Sequence, residues 1–145
     1  MCANAGVDLS NVPGTGVAVL LPEDADRSAR TLRARIDALR SVRPAIVVTD
    51  SFGRAWRHGQ CEIAIGCAGL APLEDWRGRP DDDGRTLAAT VIAIADEVAA
   101  AADLVRGKDS REPAVRVRGL ERHVLAGDGL GAAALVRARE TDLFL

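Results

Sequence analysis

Two short apolar runs, residues 17–21 (VAVLL) and 45–49 (AIVVT), stand on either side of a segment with helical periodicity. That order limits the chain to a packing of strands and helices. Pro22 ends the first run, because proline has no amide to give a strand ladder, and the run reads as a short buried strand. Glu23 and Asp24 suit the first turn of a helix. Beyond them Ala29, Leu32, Ile36 and Leu39 recur at three- and four-residue spacing on one face, while Arg30, Arg33, Arg35 and Arg40 decorate the rest. Strand, helix, strand predicts a βαβ-like unit or an α+β sheet, so the fold class is α/β (α+β), a mixed sheet with packed helices.

Further along, residues 61–68 alternate like a strand, with Gly66 and Gly69 marking close backbone packing. The rest of 52–83 reads as loop. Leu87, Val91, Ile94, Val98, Ala102 and Val105 predict one long helix, with Gly84 before it and Gly107 after its end. Residues 114–118 (AVRVR) read as a half-exposed strand, residues 127–131 as a glycine-rich loop, and residues 131–139 as a short terminal helix.

At 145 residues with 48% hydrophobic and 28% charged side chains, the chain is expected to form one globular domain over 1–145. A formal charge of −2, from 19 basic and 21 acidic residues, gives no bulk attraction for nucleic acid. Cys2, Cys61 and Cys67 form no C-x-x-C pair, so neither a disulfide framework nor a zinc site is indicated and a reducing cytoplasm is expected. No run approaches the length of a membrane span, and no signal peptide is evident. The first dozen residues, small and turn-rich, read like the middle of a domain.

Asp50 and Ser51 fall at the expected carboxyl end of the second strand, where open α/β sheets place ligands. With Asp8 they would make two carboxylates and a hydroxyl, a natural set for Mg²⁺ or Mn²⁺. The alternatives are a turn for Asp8 and a helix N-cap or turn for Asp50 and Ser51. Arg54 and Arg57 follow closely as candidate phosphate or carboxylate contacts; the alternative is a surface loop whose Trp56 covers part of the core. Residues 75–85, with the acidic stretch 81–83, lack the alternating ligand register and terminal glutamate of a calcium loop and read as a solvated loop ending in a helix start. Gly107 and Lys108 could present amides and a cation to a nucleotide or simply end the helix, and Asp96 and Glu97 read as solvated. No P-loop or Rossmann glycine pattern is present, and His58 and His123 have no companions for a hydrolytic triad.

Residues 4–12 (NAGVDLSNV), 20–24 (LLPED), 49–57 (TDSFGRAWR) and 64–70 (AIGCAGL) together resemble, in order, the coenzyme F420-0:L-glutamate ligase family. Residues 75–79 (DWRGR), 95–97 (ADE) and 118–120 (RGL) extend the resemblance. It implies GTP-dependent addition of L-glutamate to F420-0 through an acyl phosphate, in coenzyme F420 biosynthesis. It further implies that Asp8 and Asp50 bind metal, that Ser51 offers the hydroxyl at a second metal, that Asn11 contacts GTP, and that residues 106–113, with Arg106, Gly107 and Lys108, line the nucleotide. Mg²⁺ or Mn²⁺ and GTP are the implied cofactor and co-substrate, and a homodimer the implied assembly. By the same resemblance the chain would be the C-terminal part of such a domain, lacking the N-terminal segment. The alternative is a non-catalytic paralogue that binds nucleotide or deazaflavin or serves as an assembly subunit.

Overall fold

A computed structural model describes residues 7–8 and 12–142. The elements run β1 (Val7–Asp8), β2 (Val19–Leu20), α1 (Ala25–Arg40), β3 (Ile46–Gly53), β4 (Gln60–Ala68), β5 (Glu74–Asp75), β6 (Val91–Ile92) and α2 (Ile94–Asp103), followed by 3-10 turns at Glu121–His123, Ala132–Leu135 and Arg139–Thr141. Helices and sheets are mixed, as expected for an α/β (α+β) chain. Of the two arrangements expected, the βαβ unit does not form among the described residues and the α+β one does: the sheets are antiparallel pairs, β1 with β2, β3 with β4, and β5 with β6. The β3–β4 hairpin satisfies β3 locally, so β2 is left to pair with β1. Nothing among the described residues covers β2, and Leu20 is 70% exposed rather than buried.

Helix α1 starts where its sequence directs. The Asp24 carboxylate accepts from the Arg27 amide at 2.7 Å, an N-cap bond, and Ser41 in the left-handed region closes the other end through its amide to Asp37 O at 2.8 Å. The face it buries differs from the periodic one: Ala29 and Arg33 are buried, whereas Leu32 and Leu39 are exposed. Arg33 goes inside because a ring of oxygens waits for it. Its guanidinium donates to the carbonyls of Pro44, Leu125 and Gly127 and to the Asp128 carboxylate.

Strand β4 lies at the centre, with α1, α2 and the turn at Ala132–Leu135 packed against it. The core joins Ala64, Cys67 and Leu70 to Ile94, Ala95 and Ala132, with Val47, Val98 and Leu135 partly buried beside them. Small side chains let the backbones approach. A Cβ on Gly66 would run into the Ala25 carbonyl, and one on Gly69, which has φ +73°, into the Arg33 guanidinium, so both glycines mark close packing as their sequence suggested.

The edge of β4 is closed by carboxylates instead of another strand. Asp96 accepts from the Ala64 amide at 2.9 Å, and Asp26 from the Cys67 amide at 2.8 Å and the Ala132 amide at 2.7 Å. Asp96 is therefore half-buried and bonded, not solvated as its helix position suggested; Glu97 is exposed.

The long helix expected from Leu87 onward is only α2. Leu87 and Val91 fit a helical spacing, but their backbone pairs with 74–79: Trp76 N donates to Thr90 O at 3.0 Å, Gly78 N to Leu87 O at 2.8 Å and Leu87 N to Arg79 O at 2.9 Å. Asp81 then turns the chain by accepting from the Asp83 and Arg85 amides, so the acidic stretch is a hairpin tip and not a helix entry. Residues 114–118 form no strand, and the expected terminal helix is replaced by the two 3-10 turns. Leu125 N to Gly69 O and Gly69 N to Asp128 O hold the 125–128 loop against the hairpin instead.

Candidate functional site

Strand β3 does not stop at Thr49. It continues to Gly53 because Ser51, Phe52 and Gly53 pair with Glu62, Cys61 and Gln60, so Asp50 and Ser51 lie within a strand and not in a cap or turn. A register shift between Val48 and Thr49 sets which side chains share a face beyond it. Alternation then separates the two neighbours: Thr49 and Ser51 lie on the inner face with Glu62, while Asp50 and Phe52 lie on the exposed one.

Ser51 sits directly opposite Glu62 in this ladder, and its hydroxyl donates to Glu62 Oε1 at 2.7 Å. Glu62 is only 5% exposed. Its other oxygen lies 3.5 Å from the Arg106 guanidinium, which also meets Asp103 at 3.6 Å. Lys108 arrives from beyond α2 and donates from Nζ to Ser51 Oγ at 3.0 Å. Four side chains from three separate segments thus form one charged network.

Burial pushes the Glu62 carboxyl upward, but the hydroxyls of Thr49 and Ser51 and the positive charges of Arg106 and Lys108 outweigh it and hold its pKa below the ordinary glutamate value. The site is therefore an anion buried under two cations, with a hydroxyl between. Such an arrangement can fix a Lewis-basic oxygen and present positive charge to a phosphate.

The family model described as F420-0:Gamma-glutamyl ligase matches residues 1–119. The chain belongs to the F420-0:gamma-glutamyl ligase family. It is 47% identical to a protein of Haloarcula marismortui named coenzyme F420:L-glutamate ligase, over 97% of this chain and 53% of that protein. It is similar to proteins of the same name from Methanopyrus kandleri, 44% identical over 99% of this chain and 58% of the relative, and from Methanothermobacter thermautotrophicus, 43% identical over 99% and 57%. The chain spans about half the length of these curated relatives.

Within this family member, Ser51, Arg106 and Lys108 come together, and Gly107 lies between the last two, its carbonyl accepting from the Ser110 amide and hydroxyl. Asp50 stands apart. Its Oδ1 accepts from the Ser51 amide at 2.9 Å and its carboxylate is otherwise free among the described residues. Asp8 lies in β1, its backbone opposite Val19, but its side chain, like all of Asn11, falls outside the described residues. Arg54 and Arg57 are exposed at the β3–β4 tip, where Arg54 donates to His58 O at 2.5 Å; Trp56 beside them is 92% exposed and covers no core. Among the described residues no three His, Cys, Asp or Glu side chains gather as a metal cage, and no helix is long and apolar enough to cross a membrane.

Glu62 was not singled out from the sequence. A signal existed: it stands two residues before Ala64 on the same face of β4, and a lone carboxylate on a buried face needs a partner. The partners' positions, 51, 106 and 108, could not be read from spacing.

Proposed function

We propose that the chain supplies the nucleotide and cation side of a GTP-dependent ligase that joins L-glutamate to F420-0. The observation that carries this reading is the Lys108–Ser51–Glu62–Arg106 network, which unites the hydroxyl and basic residues for which the family resemblance implies a shared site.

In this reading the F420-0 carboxylate attacks the γ-phosphorus of GTP, GDP leaves, and the acyl phosphate is taken by the α-amine of glutamate with release of phosphate and one proton. Phosphorylation gives a poor electrophile a leaving group. Lys108, and the positive edge of the Arg106 guanidinium, would sit beside the γ-phosphate and offset its charge. Arg57, and Arg54 with the N–H groups it does not give to His58 O, are exposed on the hairpin tip and would be placed to meet an incoming carboxylate or phosphate.

The donor set fits Mg²⁺ or Mn²⁺. Asp50 offers an exposed carboxylate, and Ser51 Oγ already accepts a bond from a cationic group. Their opposite faces suit two separate ions, one at Asp50, for which the resemblance implies Asp8 as a further ligand, and one at Ser51. When bound, such cations neutralise phosphate charge during transfer.

The test is incubation of the chain with F420-0, L-glutamate, GTP and Mn²⁺, followed by mass spectrometry and nucleotide chromatography. A glutamylated deazaflavin with matching GDP supports the ligase, and its loss in Asp50→Ala supports the metal role. GTP binding with neither product nor GDP would overturn catalysis by this chain and leave the binding-subunit reading.

A further inference from the structure

The hydrogen-bond directions around Ser51 are fixed by chemistry. An ionised glutamate can only accept and a lysine ammonium can only donate. Ser51 therefore gives its proton to Glu62 Oε1 at 2.7 Å and receives a bond from Lys108 Nζ at 3.0 Å. Its lone pairs face the cation.

We propose that Glu62 is a positioning residue that acts through Ser51, drawing the hydroxyl proton inward so that the oxygen presents lone pairs to a cation. The placement is rigid for stated reasons. Glu62 is held opposite Ser51 by the ladder register, buried, and tied on its second oxygen to Arg106, which is itself anchored by Asp103 at the end of α2. Lys108, by contrast, is an exposed ammonium on a long flexible stem. It marks the place of positive charge and can be displaced from it by a divalent ion, whereas Glu62 stays. Without the carboxylate, the Ser51 proton would be free to turn toward the cation and weaken it as a ligand.

The inference rests on the metal role of Ser51 in the proposed function and deepens it. Its test needs no turnover. Mn²⁺ is titrated into the chain with a non-hydrolysable GTP analogue and followed by electron paramagnetic resonance, for the wild type, E62Q, S51A and the double variant. Loss of a partner behind a ligand weakens metal binding by about 10- to 100-fold. E62Q is expected to fall in that range and S51A to do the same; the double variant is expected to be no weaker than S51A, the result required if Glu62 acts on the cation through the hydroxyl and not through Arg106.

Unchanged Mn²⁺ affinity in E62Q overturns the inference, as do losses that simply multiply in the double variant. Where E62Q does not fold, E62D carries the test: it keeps the charge but withdraws the acceptor by one methylene, so weakened binding is expected and unchanged binding overturns the proposal. A wild-type chain that binds no Mn²⁺ overturns this inference together with the metal role of Ser51. The expected E62Q loss in a chain that forms no glutamylated product supports the inference and sinks only the ligase reading.

Discussion

Arg33 and Asp128 meet at 2.7 Å although 95 residues separate them, and the contact joins α1 to the loop after Val124. The pair is unequal. Arg33 is 1% exposed and Asp128 is 38% exposed, so water can replace the arginine for Asp128 but nothing can replace it for the carbonyls of Pro44, Leu125 and Gly127. Removing Arg33 is expected to cost about 3 kcal/mol, in the range for breaking a buried pair, while Asp128→Asn costs about 1 kcal/mol or less. Urea denaturation of Arg33→Ala and Asp128→Asn, compared at one pH, checks the inequality; equal losses would contradict it.

Asp26 uses both carboxylate oxygens on three amides, those of Cys67, Ala132 and Ala133. Asparagine has one acceptor oxygen and would turn an NH₂ toward an amide donor. Asp26→Asn should lose about 2 kcal/mol, since bonds to charged groups contribute roughly 1.5–3 kcal/mol each. It also uncovers part of the β4 edge, so sedimentation velocity should show more self-association than in the wild type.

Gly66 faces the backbone of Ala25, which has no side-chain freedom with which to yield. Gly66→Ala is expected to destabilise by about 2 kcal/mol, the middle of the overpacking range. Thermal unfolding followed by circular dichroism measures it, and a variant as stable as the wild type would show that α1 can move off the hairpin without penalty.

Glu62 has a folded-state pKa below its ordinary value near 4.5, despite burial, because of Thr49, Ser51, Arg106 and Lys108. The unfolded chain therefore takes up the proton first as pH falls. The stabilisation from this group is full above about 4.5 and is lost as pH drops through the lowered folded value. E62Q has no such proton to bind. Its stability should decline less steeply than that of the wild type below pH about 4.5, a comparison made by chemical denaturation across pH; parallel curves would rule out this contribution.

Much of this fold could be read from local chemistry. Asp24 announced the start of α1, residues 61–68 announced β4, and Gly66 and Gly69 announced close packing, because caps, alternation and missing side chains act over a few residues. Helical spacing misled where a competing pairing existed. Leu87 and Val91 matched the period of α2, but the backbone of 74–79 offered their amides and carbonyls partners that a helix would have denied it. Arg33 read as surface for the same kind of reason: an arginine is buried only if carbonyls converge on it, and those belong to Pro44 and to 125–127, far along the chain.

The site divides in the same way. The ordered motifs by themselves determined family membership and picked out Ser51, Arg106 and Lys108 as residues to watch. Only the tertiary structure decided that Lys108 meets Ser51, that Glu62 joins Ser51 to Arg106, and that Asp50 turns from Ser51 to the other face. Motif order is carried by local residue identity, whereas a buried carboxylate acquires a role only from the hydroxyl and cations that folding brings within bonding distance.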